Sequence, residues 1–311
     1  MHKKMSANRA QEKRQAKEAE HRQAWAHYQS GVHSVGLFRY VHLGLWYFLR
    51  AIGLYKRGIL NALDIRIKEH TVKLSRLPRQ FDGYRILHIS DLHIGGIPGL
   101  TERICTLLET ISADACVFTG DYGFAFYDPP EKLVRHMRAI IRSIRVNDGM
   151  FGVLGNHDSS DLLPVLEELG VKILMNQTAA IRRGMAQLWF IGLDDCHHFQ
   201  AHDLDYALQE ANILSGECKI FLIHSPEFIP QASEAGMDFY LCGHCHGGQI
   251  RVPALGALIN NARCKRAYTD GHWRYNRMAG FTHRGTGTSC VPVRFNCPPE
   301  MVVHTLRCGE N

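Results

Sequence analysis

The run Phe239-Tyr240-Leu241-Cys242-Gly243-His244-Cys245-His246-Gly247-Gly248 decides the architecture of this chain. Its first four residues are apolar and fit one short, buried strand. Side chains two apart leave a strand on the same side, so His244 and His246 emerge together from its end. The flanking glycines lack Cβ and let backbone bend tightly around something small. Imidazole is the commonest metal-ligating side chain. One His-x-His pair is weak evidence for a metal centre, so the ends of the other strands have to supply partners.

Outward from this run, apolar stretches alternate with helix-periodic ones. Strands are expected over 85–90, 115–119, 151–154, 171–174, 188–193, 219–223 and 239–242. Helices are expected over 100–112, 131–146, 161–169, 203–214 and 226–235. Asp64–Leu77 reads as one or two strands. Period-two stretches near the end (Val291/Val293/Phe295 and Met301/Val303/Thr305) read as extra strands. Strands separated by helices define an α/β protein whose sheets are covered on their faces.

Chemistry follows directly after the strands. Asp91-Leu92-His93 follows the first, Gly120-Asp121 the second and Gly155-Asn156-His157-Asp158 the third. His224 and Gly243-His244-Cys245-His246 follow the last two. The carboxyl ends of strands are where open α/β sheets assemble sites. Any one of these residues alone is an ordinary cap or turn former. Taken together they offer too many oxygen and imidazole donors for a single ion of four to six ligands. They suit two adjacent divalent ions sharing a carboxylate.

These five motifs, in this order over about residues 84–250, resemble the calcineurin-like metallophosphoesterases. The resemblance implies a four-layer αββα sandwich and a dinuclear centre of Mn, Fe or Zn. It implies that Asp91, His93 and His246 hold the first ion, and that Asn156, His224 and His244 hold the second. Asp121 bridges them. His157 lies beside the phosphate as the acid, Asp158 orients it, and a hydroxide between the ions attacks phosphorus. Finer motifs resemble the membrane-associated branch that acts on lipid-linked phosphoesters, including UDP-2,3-diacylglucosamine hydrolases of lipid A synthesis. These are Phe81-Asp82-Gly83-Tyr84, His246-Gly247-Gly248-Gln249-Ile250, Gly285-Thr286-Gly287-Thr288-Ser289 and Pro292-Val293-Arg294-Phe295. Cys245 departs from the threonine usual there, and Tyr122-Gly123-Phe124 departs from the commoner aliphatic-then-Asp pattern.

The N-terminus has its own character. Residues 1–60 carry eleven Lys/Arg and three Asp/Glu, leaving 25 basic and 27 acidic residues in 61–311. The main domain therefore has no nucleic-acid footprint. Residues 1–30 read as a solvated, polar basic tail, either a polar helix or without fixed structure. Residues 31–63 read as an amphipathic segment, with Phe38, Val41, Leu45, Phe48, Ile52, Tyr55 and Ile59 on one helical face and Arg39, Arg50 and Arg57 opposite. Its longest stretch without Lys or Arg, Tyr40–Leu49, is half of the ~20 residues a spanning helix needs. The expectation is a helix over 37–60 lying in the cytoplasmic surface of the cell membrane, with packing on the main domain or on a second subunit as the alternative and a bent or tilted span as a third reading. The phosphoesterase domain then occupies 64–311.

Phe124, Phe126 and Tyr127, just after Asp121, are candidates for covering a lipid, and Arg251 for holding a second phosphate. Asp194-Asp195-Cys196-His197-His198 reads as recognition or plain loop. The ten cysteines read as reduced thiols. Two other functions remain open: a phosphodiesterase or nuclease of soluble substrates, and a scaffold that kept the fold without catalysis. The complete donor set speaks against the second.

Overall fold

The computed structural model describes residues 10–23, 35–209, 211–214, 216–257, 259 and 261–309, with backbone alone over 35–42. Two six-stranded sheets face one another. The first runs β1 (Arg66–Leu74), β14 (Glu300–Cys308), β2 (Arg85–Ile89), β3 (Ala115–Phe118), β4 (Met150–Gly152), β5 (Val171–Ile173). The second runs β12 (Gly271–Tyr275), β13 (Met278–Thr282), β9 (Phe239–Cys242), β8 (Cys218–Leu222), β7 (Ala186–Gly192), β6 (Gln177–Arg183). A small hairpin joins β10 (Arg251–Val252) to β11 (Gly256–Ala257).

Burial on both faces explains why the central strands read as continuous apolar runs. Ile86 of β2 enters the layer between the sheets with Val117, Phe190, Leu222 and Leu241. Its neighbours Leu87 and Ile89 face outward, with Ile104 of α4 (Leu100–Leu108) and Met137 and Ile140 of α5 (Pro130–Ser143). The second sheet is covered by α7 (Leu204–Gln209) and α8 (Ile229–Glu234) through Ala207, Ile229 and Ala232. The result is the αββα order of layers. Fully burying a side chain such as Phe190 or Ile86 contributes about 1.5–3 kcal/mol, which is what locks the layers together.

Strand direction then gathers the site. β2, β3 and β4 are parallel neighbours, in register through Ile89–Phe118 and Phe118–Gly152. In the facing sheet β8 and β9 are parallel, with Leu222 opposite Leu241. All five carboxyl ends fall on one edge of the sandwich.

Several expectations need correction. β6 was not anticipated. It is an edge strand rich in Gln, Thr and Arg, paired antiparallel with β7, so the apolar signature of a central strand is missing. Val291–Phe295 is not a strand. Val293 packs against Gly58, and the Arg294 N–H donates to the Gly58 carbonyl (3.0 Å). The expected helix over 203–214 ends at Gln209. The helix expected over 161–169 opens with a 3-10 turn, Ser160–Leu162, before α6 (Leu163–Glu168), and α8 follows a similar turn, Pro226–Phe228.

The segment 37–60 is two helices, α2 (Val35–Ala51) and α3 (Tyr55–Leu63). Gly53, at φ 75°, turns the chain between them in a conformation that costs other residues more. The expected apolar face is divided. Leu45, Leu49, Tyr55 and Ile59 pack on Val291, Val293 and Phe295 of the main domain. Phe48 and Ile52 are exposed. Phe38 and Val41 lie outside the described side chains. Among the described residues no helix is long and apolar enough to cross a membrane.

The tail also departs from expectation. Residues 10–23 form a helix, α1, and Arg14 and Glu18 are buried on it. Their partners lie more than a hundred residues away in the chain, so no local pattern announces the docking. The rest of 1–30 lies outside the described residues.

Candidate metal centre

Five of the seven expected ligands have left-handed backbone: Asp91, His93, Asp121, His244 and His246, with φ between 43° and 70°. Such strain in non-glycine residues concentrates at functional sites. Here each strand must turn sharply at its end for side chains from different strands to converge. Glycines permit the approach. A Cβ at Gly243 would collide with Ser90 Oγ and Asp91 Oδ2, and one at Gly155 with Asp121 Oδ1.

Among the described residues the donors form three overlapping groups. Ligand atoms of Asp91, His93 and His246 lie within 4.8 Å of one another, as do those of Asp91, Asp121 and His224 and those of His93, Asp121 and His157. His93 Nε2 is 3.0 Å from His246 Nε2, and His246 Nε2 is 3.4 Å from Asp91 Oδ1. On the other side, Asn156 Oδ1 lies 3.0 Å from His224 Nε2 and 2.9 Å from His244 Nδ1. Asp121 Oδ2 stands between two of the imidazoles, 3.6 Å from His93 Nε2 and 3.3 Å from His224 Nε2. Polar atoms of all seven expected ligands therefore meet at one place.

The chemistry of these donors fits cations. His93 Nδ1 faces the Gly123 carbonyl (3.0 Å) and His224 Nδ1 the Thr119 carbonyl (2.7 Å). A carbonyl only accepts, so both Nδ1 atoms carry hydrogen, and in the neutral ring each Nε2 presents its lone pair to the centre. A buried collection of lone pairs and carboxylates requires positive charge. Without metal a proton meets part of that need. Burial pulls His224 down, but the adjacent Asp121 overrides it and lifts the imidazole to about 10. Burial raises Asp91 to about 7.

A pH dependence follows. His224 must give up its proton to bind metal, so loading releases protons. Affinity should rise from pH 6 to pH 9 by about tenfold per unit for each proton displaced. Calorimetric titration of Mn²⁺ in buffers of different ionisation heat measures the release. A pH-independent affinity would contradict it.

Asp91 is braced from behind. Its Oδ2 accepts from Ser90 Oγ (2.6 Å), Ser90 Oγ accepts from Thr119 Oγ1 (2.7 Å), and Thr119 Oγ1 meets His88 Nε2 (2.9 Å). His88 Nδ1 continues to His304 Nε2 (3.3 Å), and His304 Nδ1 to His70 Nδ1 (2.9 Å). Burial holds His88 and His304 well below the usual imidazole range and brings His70 to about 4, so the chain is neutral. Such outer partners orient a ligating carboxylate. Nothing in the local sequence around Asp91 reveals this line of partners between the sheets.

His157 Nδ1 donates to the Phe124 carbonyl (3.0 Å), and Phe126 stacks on its ring at 4.0 Å. Nε2 is thereby left 4.0 Å from Asp121 Oδ2. Asp158 does not orient this ring. Its carboxylate accepts the backbone N–H groups of Asp121 (2.8 Å), Tyr122 (2.8 Å) and Gly155 (2.7 Å). Asp158 ties the Asp121 turn to the Asn156 turn, because those amides point away from any strand partner. Of the other candidates, Phe124 and Phe126 line the His157 side. Tyr127 donates its N–H to the His157 carbonyl (3.0 Å). Arg251 Nη1 donates to Asp270 (2.5 Å), a carboxylate that also holds Arg284, so this cluster of two guanidiniums and one carboxylate keeps a net positive charge.

Asp195 caps the loop after β7, accepting from the N–H groups of His198 (2.6 Å) and Phe199 (2.7 Å). Cys242 and Cys245 have Cys-x-x-Cys spacing, yet Cys242 Sγ turns to Thr282 Oγ1 (3.3 Å) and neither joins the donor groups. All ten cysteines are free thiols.

Residues 84–248 match the calcineurin-like phosphoesterase family. The chain belongs to that family. It is 31% identical over 256 residues to the uncharacterized metallophosphoesterase YkuE of Bacillus subtilis, covering 78% of this chain and 86% of that one. It is 31% identical over 233 residues to phosphodiesterase YaeI of Escherichia coli, covering 72% and 82%. A transmembrane protein with metallophosphoesterase domain from Bos taurus is 28% identical over 66% of this chain and 50% of its own length. Calcineurin-like phosphoesterases use two divalent metals, and this chain is a metal-dependent hydrolase of phosphoesters. When bound, such ions polarise phosphoryl oxygens and make water nucleophilic near neutral pH. His157 Nε2, with the ring held by the Phe124 carbonyl and Phe126, faces the donor cluster.

Proposed function

We propose that this phosphoesterase cleaves a phosphodiester or pyrophosphate bond in a lipid-linked substrate while docked on the cytoplasmic surface of the cell membrane. UDP-2,3-diacylglucosamine, split to a lipid monophosphate and UMP, is the specific substrate put forward. The observation that carries this reading is an apolar cavity of about 130 Å³ beside the metal ligands. His244 and His246 form one wall, and Leu45 of α2, Cys245, Ile250, Ile259 and Val291 form the others. An acyl chain entering beside the reacting phosphate fits that lining.

The surface next to the cavity supports the same reading. Tyr47 is 64% exposed and Phe48 58%, and Leu43, Ile52, Leu54, Leu255 and Ile259 are also exposed. Large apolar side chains gathered near a site mark a docking surface. Arg50 lies over the Trp46 ring at 3.8 Å, an arrangement suited to the headgroup level. The basic excess of residues 1–60 favours anionic lipid.

The test is direct. Mn-loaded protein in detergent should turn over UDP-2,3-diacylglucosamine and release UMP. A Tyr47→Asp/Phe48→Asp variant should lose sedimentation with anionic vesicles yet keep turnover of a soluble aryl phosphodiester. Turnover of the aryl substrate alone would remove the lipid reading and leave a phosphodiesterase of soluble substrates.

A further inference from the structure

We infer that Arg14 of α1 is a positioning residue for the loop 155–160, so that the N-terminal helix completes the active site. The Arg14 side chain has no solvent exposure. Each of its three nitrogens is engaged. Nε donates to Glu18 Oε1 (2.8 Å) and Nη1 to Asp194 Oδ1 (2.6 Å). Nη2 donates to the carbonyls of Gly155 (3.1 Å) and Asp158 (2.6 Å). The guanidinium lies 3.6 Å from the centre of the Phe199 ring. Glu18, one turn on, accepts from Ser160 N–H (2.7 Å) and Ser160 Oγ (2.9 Å).

These contacts fall on both sides of the residues that matter. Gly155 precedes Asn156, and Asp158 follows His157. The loop between two parallel strands has no ladder partner for its carbonyls, and Arg14 supplies one from outside. Its planar fork serves three directions at once, which a lysine ammonium cannot do in the same geometry. A second path runs through rings. His21 of α1 lies 3.7 Å from His198, His198 lies 5.6 Å from Phe126, and Phe126 stacks on His157. α1 therefore backs the wall that carries His157. Displacement of a reacting group by about 1 Å costs on the order of a hundredfold in rate, so a loop brace acts mainly on kcat.

The experiment uses the full chain, Mn-loaded, with a soluble aryl phosphodiester, so its outcome is independent of the lipid reading. Arg14→Ala should lower kcat by about thirty- to a hundredfold with KM within about threefold. Added methylguanidinium, at concentrations too low to denature, should restore kcat several-fold. Arg14→Lys should fall between Arg14→Ala and the parent. Lys17→Ala removes an exposed charge from the same helix and should leave activity unchanged. A parental kcat in Arg14→Lys overturns the assignment, and so does a loss in Arg14→Ala that methylguanidinium does not relieve. If Arg14→Ala fails to fold, the kcat and KM of Arg14→Lys decide alone.

Discussion

Alanine at His157 leaves two metal ions bound and removes most turnover, a loss of about 10²–10⁴-fold for a positioned general acid. The ring is set for that task by the Phe124 carbonyl on Nδ1 and by Phe126 against its face. Its Nε2 lies near enough to His93 and Asp121 to share a metal-sized space with them, so metal content is the discriminating measurement. Two ions per chain together with low kcat identify the acid. Loss of an ion in His157→Ala would make His157 a ligand, and undiminished turnover would exclude both roles. The effect should fall on kcat more than on KM, because proton donation is needed only as the leaving oxygen gains charge.

Asparagine at Asp121 should be more damaging to the centre itself. Metal stoichiometry drops below two per chain and activity falls by about a thousandfold or more, the equivalent of ~4 kcal/mol of lost charge stabilisation. Asp121 Oδ2 faces His93 on one side and His224 on the other. The fold should survive. The amide oxygen of asparagine can still accept the His157 N–H now received by Asp121 Oδ1 (2.9 Å). Elemental analysis of purified protein and thermal unfolding with and without Mn²⁺ separate the two effects. The metal-induced stabilisation should shrink while the metal-free transition stays close to that of the parent. A variant that binds two ions with parental affinity would end the bridging assignment.

Much of this centre was legible because of how parallel strands are buried. β2, β3, β8 and β9 are covered on both faces, so they read as plain apolar runs and their ends are marked by the first polar residue. Asp91, Asp121, His224 and His244 stand at or just after those ends, and Asn156 follows β4. The edge strand β6 carries polar residues on a half-buried face and left no comparable mark. Val291–Phe295 alternates like a strand but spends its apolar residues on α2 and α3. Arg251 is a cation near the ligands in sequence, and its pairing with Asp270 appears only in the fold.

By itself, then, the sequence determined the α/β class, the strand ends and the identity of the donors, since each depends on local apolar periodicity and on which residue comes next, while the layer order was implied by the resemblance of the five motifs. Only the tertiary structure decided that Asp158 knits two turns instead of orienting His157, that the amphipathic segment divides its face between protein and solvent, and that Arg14 is buried behind the catalytic loop. Each of these turns on which distant backbone amide, carbonyl or carboxylate lacks a partner. Such a vacancy exists only after the sheets have stacked.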